Sequence, residues 1–262
     1  MTPEALLAIW VCIVGLLIGS FLNVVIWRVP RGESVVSPPS HCPGCDTAIA
    51  PRDNVPLLSW LLLRGRCRDC GTRISIRYPL VELGTGLLFA AMVWRFGADW
   101  QLPAFLYLAA IAVALGLIDI DVHRLPNAIV LPSFAVVAVL LLLPAAVDGS
   151  WDDYLRALLG GVILFVFYFI LAFIYPAGMG FGDVKLAGVL GGLLGWLGWG
   201  ALAVGAFLGF ALGGILGVAL MVAGRAGRKS KIPFGPFMLL GALIAVFAAD
   251  PLVDLYLGRV GL

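Results

Sequence analysis

The chain has little charge and few of the residues on which soluble hydrolases depend. Charged side chains make up 12% of its 262 residues, against about 25% in soluble domains, and there are only two histidines. It has no H-E-x-x-H motif of a zinc peptidase and no G-x-S-x-G elbow of a serine hydrolase. We find no glycine fingerprint of a dinucleotide-binding fold, no repeat of fixed period and no basic pattern that indicates nucleic-acid binding. These absences argue against a soluble enzyme of the common hydrolase classes.

Long apolar segments take the place of soluble domains in this chain. Hydrophobic residues make up 62% of the sequence, and the mean hydropathy is +1.06. Stretches of about the length that crosses a bilayer lie at 5–27, 80–96, 102–118, 127–146, 155–175, 186–199, 201–223 and 234–253. We therefore predict an all-α polytopic membrane protein with about eight transmembrane helices. The break between the sixth and seventh depends on Gly198-Trp199-Gly200, and a single re-entrant hairpin there is the alternative.

The basic residues predict how the chain is oriented in the membrane. Fourteen of the 17 Lys and Arg residues fall on one side if that side contains the loops 28–79, 119–126, 176–185 and 224–233. By the positive-inside rule these loops are cytoplasmic, which places both termini outside. The first apolar segment has an acidic start and no basic residues before it, so we expect a retained helix rather than a signal peptide.

We expect the chain to have three parts. They are the first transmembrane helix (1–27), a cytoplasmic loop domain (28–79) and a membrane core of about seven helices (80–262). A loop of about 50 residues is too small to form a stable apolar core, so it needs another source of stability.

Two C-x-x-C pairs supply that stability if they bind zinc. The four residues, with 21 residues between the pairs, are Cys42, Cys45, Cys67 and Cys70. Four thiolates in two tight turns form a closed tetrahedral site, so the predicted metal is structural rather than catalytic. Two redox disulfides are the alternative, which a reducing cytoplasmic compartment disfavours. We expect Gly44 and Gly71 to form the turns, Cys12 to be a buried apolar residue, and His41 to be only a secondary candidate ligand.

The most informative carboxylate is Asp183, which closes the run Gly178-Met179-Gly180-Phe181-Gly182-Asp183 between two apolar stretches. Glycines there allow the backbone to bend and to pack closely. Because a carboxylate at the edge of a membrane is costly, it is a candidate functional residue by default. A tight membrane turn with an acid facing water is the alternative.

Three other acids lie at the predicted cytoplasmic helix ends, namely Glu82, Asp119 and Asp121. Asp119 directly follows an apolar run and is the deeper of the two aspartates, and residues two apart on a helix face different sides. We therefore favour Asp119 over Asp121 as the partner of Asp183. Glu82 is a candidate for a second role, while an acid paired with Arg77 or Arg73 is the structural alternative.

Two carboxylates at one depth can perform aspartic peptidase chemistry. Close like charges cannot both ionise, so one pKa rises and the pair shares a proton. The ionised aspartate then takes a proton from water, while the protonated one polarises the scissile carbonyl.

These residues are similar to the motifs of one known family. The chain resembles the type IV prepilin peptidases, which are bifunctional leader peptidases and N-methyltransferases of bacterial pilus and type II secretion systems. Asp119 matches the first catalytic aspartate, and Gly180-Phe181-Gly182-Asp183 matches the G-x-G-D motif with the second. The other blocks that resemble the family begin at Gly19, Asn54, Arg77 and Ile232. The chain differs from the family pattern at Asn127, because an acidic residue often follows the proline that corresponds to Pro126 in the motif of the first aspartate.

The resemblance implies a reaction, a cofactor and a location. It implies cleavage of a short basic leader from prepilins or pseudopilins after a glycine, at the cytoplasmic face of the bacterial inner membrane. It also implies methylation of the new N-terminal residue by S-adenosylmethionine, at a site built from the cytoplasmic loop and nearby helix ends. The matching block around Glu82 implies a role for that acid at the leader's basic residues or in methyl transfer.

Two alternatives belong to other functional classes. One is a peptidase without methyltransferase activity, in which the cysteine loop docks the substrate. The other is a non-enzymatic membrane protein, a transporter or an assembly factor with a zinc-stabilised loop. The expected partners are prepilin substrates and the lipid bilayer, with no nucleic acid, and the sequence leaves the oligomeric state open.

Overall fold

The computed structural model describes residues 2–176, 179–224 and 233–260, which are helical apart from loops. Gly178 and Ile232, which belong to two of the motifs above, lie outside the described residues. The α-helices in the described part are α1 (Pro3–Arg28), α2 (Leu58–Leu62), α3 (Arg77–Phe96), α4 (Leu102–Val122), α5 (Asn127–Asp148), α6 (Trp151–Ile174), α7 (Phe181–Leu197), α8 (Trp199–Val222) and α9 (Gly235–Val260). Single 3-10 turns occur at Val29–Arg31 and Pro51–Asp53, and isolated β-bridges pair His41 with Ala48 and Arg66 with Arg73.

Most of these helices have the length and composition of membrane spans. Seven of them are long and apolar enough to cross a membrane within the described residues, namely α1, α3, α4, α5, α6, α8 and α9. The 17 residues of α7 form a shorter apolar helix, about 25 Å long at 1.5 Å per residue. The predicted all-α polytopic membrane fold is therefore confirmed, with α7 as the shortest of the eight long helices.

The break between α7 and α8 lies at the predicted glycine. Gly198 has a φ of 142°, a conformation that L side chains rarely adopt. Helix α7 ends one residue before Gly198, and α8 begins one residue after it. The start of α7 differs from the predicted apolar stretch, which began at residue 186. The helix begins at Phe181 because Gly180 caps it, so the polar start of the helix carries Asp183.

The chain divides into two compact units, which are described separately. The first consists of Met1–Leu102 with Ala109–Ala114, and the second of Pro103–Leu108 with Leu115–Leu262. In the first unit α1 packs along α3. A methyl group at Gly19 would lie 2.7 Å from the Cα atom of Glu82, so the two helices approach as closely as glycine permits.

In the second unit the helix pairs α6–α7 and α8–α9 make the most extensive contacts. A methyl group at Gly160 of α6 would lie 2.6 Å from the carbonyl oxygen of Gly191 in α7. A methyl group at Gly241 of α9 would lie 2.7 Å from the backbone nitrogen of Gly209 in α8. Close packing of small residues therefore holds these pairs together, as is typical of helices in a membrane. It also fixes α7, which carries Asp183.

Candidate active site

Asp119 lies in the last turn of α4, and it is buried. Its side chain is 4% exposed, while Asp121, two residues later, is exposed. The backbone carbonyl of Asp119 accepts a hydrogen bond of 2.9 Å from the amide of His123, whose φ of 52° ends the helix. The structure therefore places Asp119, rather than Asp121, in the interior of the second unit.

Asp183 lies in the first turn of α7 and forms part of the cap of that helix. Its Oδ2 atom accepts a hydrogen bond of 3.0 Å from the backbone amide of Gly180. The amide of Asp183 in turn donates to the carbonyl of Gly180, also at 3.0 Å. This reciprocal arrangement is a capping box, with glycine in place of the usual serine or threonine. The side chain is 8% exposed, so the cap holds a buried carboxylate in one orientation.

The fold brings together the segments that carry the two aspartates, although Asp119 and Asp183 lie 64 positions apart in the sequence. Leu125, in the loop after α4, packs against the start of α7 and the start of α9. Its side chain lies 3.1 Å from the position of a methyl group at Gly182 and 3.3 Å from that of a methyl group at Gly235. The site is thus built from the ends of α4, α7 and α9.

Gly235 is a site residue to which the sequence analysis gave no role. Its backbone amide donates a hydrogen bond of 3.1 Å to Oδ2 of Asp119, across 116 residues. A methyl group at Gly235 would lie 2.8 Å from the same oxygen. Because α9 begins at this glycine, the positive end of the helix dipole also faces the carboxylate. The signal in the sequence was the block before the last helix, which contains this glycine.

Asn127 and Lys185 connect the segments next to the two aspartates. The ammonium group of Lys185, in α7, donates a hydrogen bond of 2.8 Å to the side-chain oxygen of Asn127, the first residue of α5. Asparagine supplies the same acceptor that an aspartate would supply here. The departure from the family pattern at this position therefore preserves a contact between α5 and α7.

The four predicted cysteine ligands lie together in the first unit. Their sulfur atoms are all within 4.8 Å of one another, and the Sγ atoms of Cys42 and Cys70 are 3.7 Å apart. A tetrahedron with Zn–S bonds near 2.3 Å has edges of about 3.8 Å, so the donor set and its spacing fit zinc. His41 is not in the cluster, and its ring lies near Pro39 and Asp46.

The two cysteine turns have nearly the same structure. The amide of Cys42 donates to the carbonyl of Thr47 at 3.0 Å, and that of Cys67 donates to Thr72 at 2.9 Å. Gly44 lies within the first turn, as expected, and the residues with positive φ are Asp46 after the first turn and Gly71 after the second. A methyl group at Gly44 would lie 2.6 Å from the Thr72 hydroxyl, so this glycine also permits close packing of the two turns.

Threonine hydroxyls contact the second cysteine of each turn. The Thr47 hydroxyl lies 3.4 Å from Sγ of Cys45, and the Thr72 hydroxyl lies 3.2 Å from Sγ of Cys70. Hydrogen bonds from the side chain and backbone of Thr72 lower the pKa of Cys70 to about 6. The contact with Thr72 therefore favours the thiolate form of Cys70, which is the form that binds a metal.

Glu82 lies in α3 of the first unit, and its side chain is 8% exposed. Its Oε2 atom accepts a hydrogen bond of 2.8 Å from the backbone amide of Leu57, the residue before α2. The structure therefore shows Glu82 as the acceptor that connects the loop between α1 and α3 to α3, through a long-range contact that no residue type in the sequence marks.

This arrangement provides two buried carboxyl groups at helix ends that pack against the same loop residue, Leu125. Each aspartate is buried and oriented by one backbone amide, so neither depends on a flexible side chain for its position. Such fixed carboxyl groups suit general acid–base catalysis, in which a misplacement of about 1 Å is costly.

Comparison with known proteins gives matches over most of the chain. Residues 13–96 match the family model of the bacterial peptidase A24 N-terminal domain, and residues 104–222 match that of the type IV leader peptidase family. No solved structure matches the chain.

Several curated proteins are similar to the chain over nearly their full length. A prepilin leader peptidase/N-methyltransferase of Stutzerimonas stutzeri is 34% identical and covers 98% of this chain and 98% of the relative. A protein of the same name from Pseudomonas aeruginosa is 36% identical over 95% of this chain and 93% of the relative. Another from Bacillus subtilis is 33% identical over 94% of this chain and 96% of the relative. With two buried aspartates and a tetracysteine loop in a helical membrane fold, the chain belongs to the type IV leader peptidase family.

Proposed function

We propose that this protein is an aspartic endopeptidase that removes the leader of type IV prepilins or pseudopilins and then methylates the new N-terminus. The observation that carries the proposal is that two buried aspartates from separate helices, Asp119 and Asp183, adjoin glycines that pack on the same side chain, Leu125. The membership of the chain in the leader peptidase family supports the same chemistry, and so do the names of its relatives.

In the proposed cleavage, one aspartate acts as the base and the other as the acid. The ionised carboxylate removes a proton from a water molecule between them, and the hydroxide attacks the scissile carbonyl carbon. The protonated carboxyl group donates its proton to the carbonyl oxygen as the tetrahedral intermediate forms. The amine then leaves with the proton that the base took up, and a hydroxyl group of the intermediate returns its proton to the other aspartate as the new carboxyl group forms. No covalent enzyme intermediate forms.

Glycines next to the two aspartates support this chemistry because they orient the carboxylates and leave space beside them. The amides of Gly180 and Gly235 each hold one carboxylate oxygen, which fixes the direction of the remaining oxygens. A side chain at Gly182 would press on Leu125, and bulk there would also obstruct an unwound substrate segment. We propose that Gly180 and Gly182 shape the cleft in which the peptide bond is presented.

We propose that cleavage occurs on the cytoplasmic side of a bacterial inner membrane. The 14 Lys and Arg residues in the four predicted cytoplasmic loops support this orientation. The helix ends that carry Asp119 and Asp183 adjoin two of these loops. We also propose that residues 28–79 form a separate loop domain stabilised by zinc, on the basis of the four clustered sulfur atoms.

Methyl transfer to the new N-terminus is supported by the names of the relatives. S-adenosylmethionine supplies an electrophilic methyl group when bound. Its positive charge suits a buried acid, and Glu82 is the buried acid among the described residues of the first unit. We propose that Glu82 has a role in methyl transfer or in binding the leader's basic residues, in addition to its bond to Leu57.

A digest of a prepilin in vitro tests the aspartate pair. Asp119→Asn and Asp183→Asn keep the size of the side chain but remove the shared proton, so cleavage should fall by about 10²- to 10⁴-fold or more. Asp121→Asn is the matched control, because Asp121 is exposed two residues from Asp119, and it should retain most activity. Near-normal turnover of Asp183→Asn would exclude the proposed mechanism and favour the non-enzymatic alternative.

Labelled S-adenosylmethionine in the same assay separates a bifunctional enzyme from a peptidase alone. Glu82→Gln removes the charge while retaining an acceptor for the Leu57 amide, whereas Glu82→Leu removes both. If the charge acts in methylation or leader binding, Glu82→Gln should lower one of these activities with unchanged zinc content. If Glu82→Gln has wild-type cleavage and methylation and only Glu82→Leu is impaired, Glu82 is an anchor for the loop and nothing more.

A further inference from the structure

The short helix α2 presents an apolar face that nothing in the described chain covers. Leu58, Leu61 and Leu62 are 59%, 61% and 81% exposed. The other residues of the helix are engaged with the loop. Ser59 is buried and bonded to the backbone of Val55 and Arg52, and the indole of Trp60 donates to the carbonyl of Ile74 at 3.2 Å. Leu58, Leu61 and Leu62, which we call the leucine face, therefore point away from the loop, and the contacts of Ser59 and Trp60 hold the helix in this orientation.

The contact with Glu82 determines how deep this helix lies. Helix α3 has 20 residues and a length of about 30 Å, which matches the hydrocarbon core of a bilayer. Glu82 is five residues from its first residue, Arg77, or about 7 Å along the helix axis. The Leu57 amide lies 2.8 Å from the Glu82 carboxylate, so α2 begins beside this turn of α3. Because α3 has the length and composition of a membrane span, its first turns lie near the membrane surface, and this contact brings α2 to that surface.

The backbone at Leu57 is held in a conformation that supports this anchoring. Leu57 has φ and ψ of 60° and −51°, in a tight turn in which the amide of Leu58 donates to the carbonyl of Pro56 at 2.6 Å. A positive φ is unfavourable for leucine, and it persists only where neighbouring contacts determine it. The hydrogen bond that the Leu57 amide donates to Glu82 helps to hold this turn and, with it, the direction of the leucine face.

Basic residues follow the leucines directly. Arg64 and Arg66 are exposed and lie two and four residues after the end of α2. Apolar side chains beside exposed arginines are typical of segments that lie in the interface of an anionic membrane. The charge of these residues therefore selects a lipid surface as the partner of the leucine face.

We propose that α2 is an interfacial membrane anchor of the cysteine loop. Leu58, Leu61 and Leu62 insert among the acyl chains, and Arg64 and Arg66 bind the phosphates of anionic lipid headgroups. The anchor holds the metal-binding loop against the membrane face, independently of whether the aspartates perform the proposed chemistry.

Photolabelling of the full-length, zinc-loaded protein in lipid nanodiscs tests this proposal. The discs contain phosphatidylcholine and phosphatidylglycerol with a trace of phospholipid that bears a diazirine in its acyl chain. Tryptic cleavage gives residues 53–64, which contain all of α2, and residues 32–52, which contain the first cysteine turn. We expect acyl-chain adducts on 53–64 and none on 32–52, whereas a water-soluble diazirine should label 32–52 more strongly. Labelling of 53–64 by the water-soluble reagent alone would overturn the proposal.

Variants test whether acyl-chain labelling depends on the leucine face or on any exposed apolar residue of the loop. Leu58→Ser, Leu61→Ser and Leu62→Ser combined should reduce the acyl labelling of 53–64 to the level of 32–52, with bound zinc measured to verify that the loop is folded. Val36→Ser is the matched control, because Val36 is 86% exposed in the same loop. Wild-type labelling should also rise with the phosphatidylglycerol fraction. Labelling that is unaffected by both changes, or crosslinks of this peptide to added substrate in place of lipid, would contradict a membrane anchor.

Discussion

Asp119 and Asp183 are positioned by two different local devices. Asp183 is held by its own helix, since Gly180 lies only three residues away and its amide bonds to the carboxylate in a capping box. Asp119 is held by another helix altogether, through the amide of Gly235 at the start of α9. The position of Asp183 therefore depends on the local sequence, while the position of Asp119 depends on the tertiary packing of α9.

Gly235→Ala tests the dependence of Asp119 on α9. A methyl group at this position would lie 2.8 Å from Oδ2 of Asp119, so the carboxylate must move away from its amide partner. We expect cleavage to fall by up to about 100-fold, because displacing a catalytic group by about 1 Å has effects of that size. Kinetics with a prepilin substrate measure the loss, which should appear mainly in kcat.

A neighbouring glycine supplies the control for this prediction. A methyl group at Gly116 of α4 would be 3.7 Å from the side chain of Leu239, which is an ordinary contact. Gly116→Ala should therefore leave cleavage nearly unchanged. If Gly235→Ala and Gly116→Ala have equal activity, the contact between Gly235 and Asp119 does not matter for turnover.

At the scale of single elements, α7 is short for a helix in a membrane. Its length of about 25 Å is less than the hydrocarbon thickness of about 30 Å. Its last carbonyl groups are satisfied by Arg156 of α6, which donates to Gly195 and to Trp196, each at 2.7 Å. Asp153 balances the guanidinium charge at 2.7 Å. This contact secures the end of α7 that lies opposite Asp183.

Arg156→Gln should therefore destabilise the second unit. Two helix carbonyls would lose their charged donor, at a cost of about 2–4 kcal/mol in the free energy of unfolding, since each buried unsatisfied group costs about 1–3 kcal/mol. Thermal unfolding in detergent measures this change. Arg156→Lys should reduce the free energy of unfolding by a smaller amount. An ammonium group retains the charge, although it cannot donate to both carbonyl groups as the planar guanidinium group does.

The exposed Arg259 in the last turn of α9 is the matched control for Arg156. Arg259→Gln removes the same charge without affecting the end of α7, so its unfolding temperature should remain close to that of the wild type. Equal stability of Arg156→Gln and Arg259→Gln would show that the carbonyl contacts contribute nothing measurable.

At the scale of the whole molecule, the two units derive their stability from different sources. The second unit consists of close-packed helices, whereas the cysteine loop of the first has few buried apolar residues and two isolated β-bridges. We expect a small loop of this kind to depend on a bound metal, since structural zinc sites supply about 10–16 kcal/mol of apparent binding free energy. Removal of zinc should therefore affect the loop before the membrane helices.

Cys42→Ser, or treatment with a strong chelator, should make residues 28–76 sensitive to protease while the peptides of α5 to α9 remain protected. Limited proteolysis with mass spectrometry measures the sites, and metal analysis measures bound zinc. Cys12→Ser is the control, because Cys12 lies in α1 and outside the cluster. Purified protein with no metal at the four thiols, or a Cys42→Ser loop as resistant as the wild type, would contradict a structural zinc site.

Features that depend on short spacing could be predicted from the amino-acid sequence alone. Apolar runs of helical length predicted the membrane helices, and the break at Gly198 followed from one glycine pair around Trp199. The C-x-x-C spacing predicted the cluster of four sulfur atoms, which the structure brings within 4.8 Å. These features are readable because hydropathy and ligand geometry act over a few residues.

Contacts between distant residues could not be predicted from the sequence and follow from the packing of the folded chain. The bond from Gly235 to Asp119 spans 116 residues, and the bond from Leu57 to Glu82 spans 25. Both are formed by backbone amides, and every residue except proline has one, so no residue type in the sequence marks the donor. The depth of α2 and the orientation of Asp119 follow from those amides, because helix packing alone determines which amide reaches a buried carboxylate.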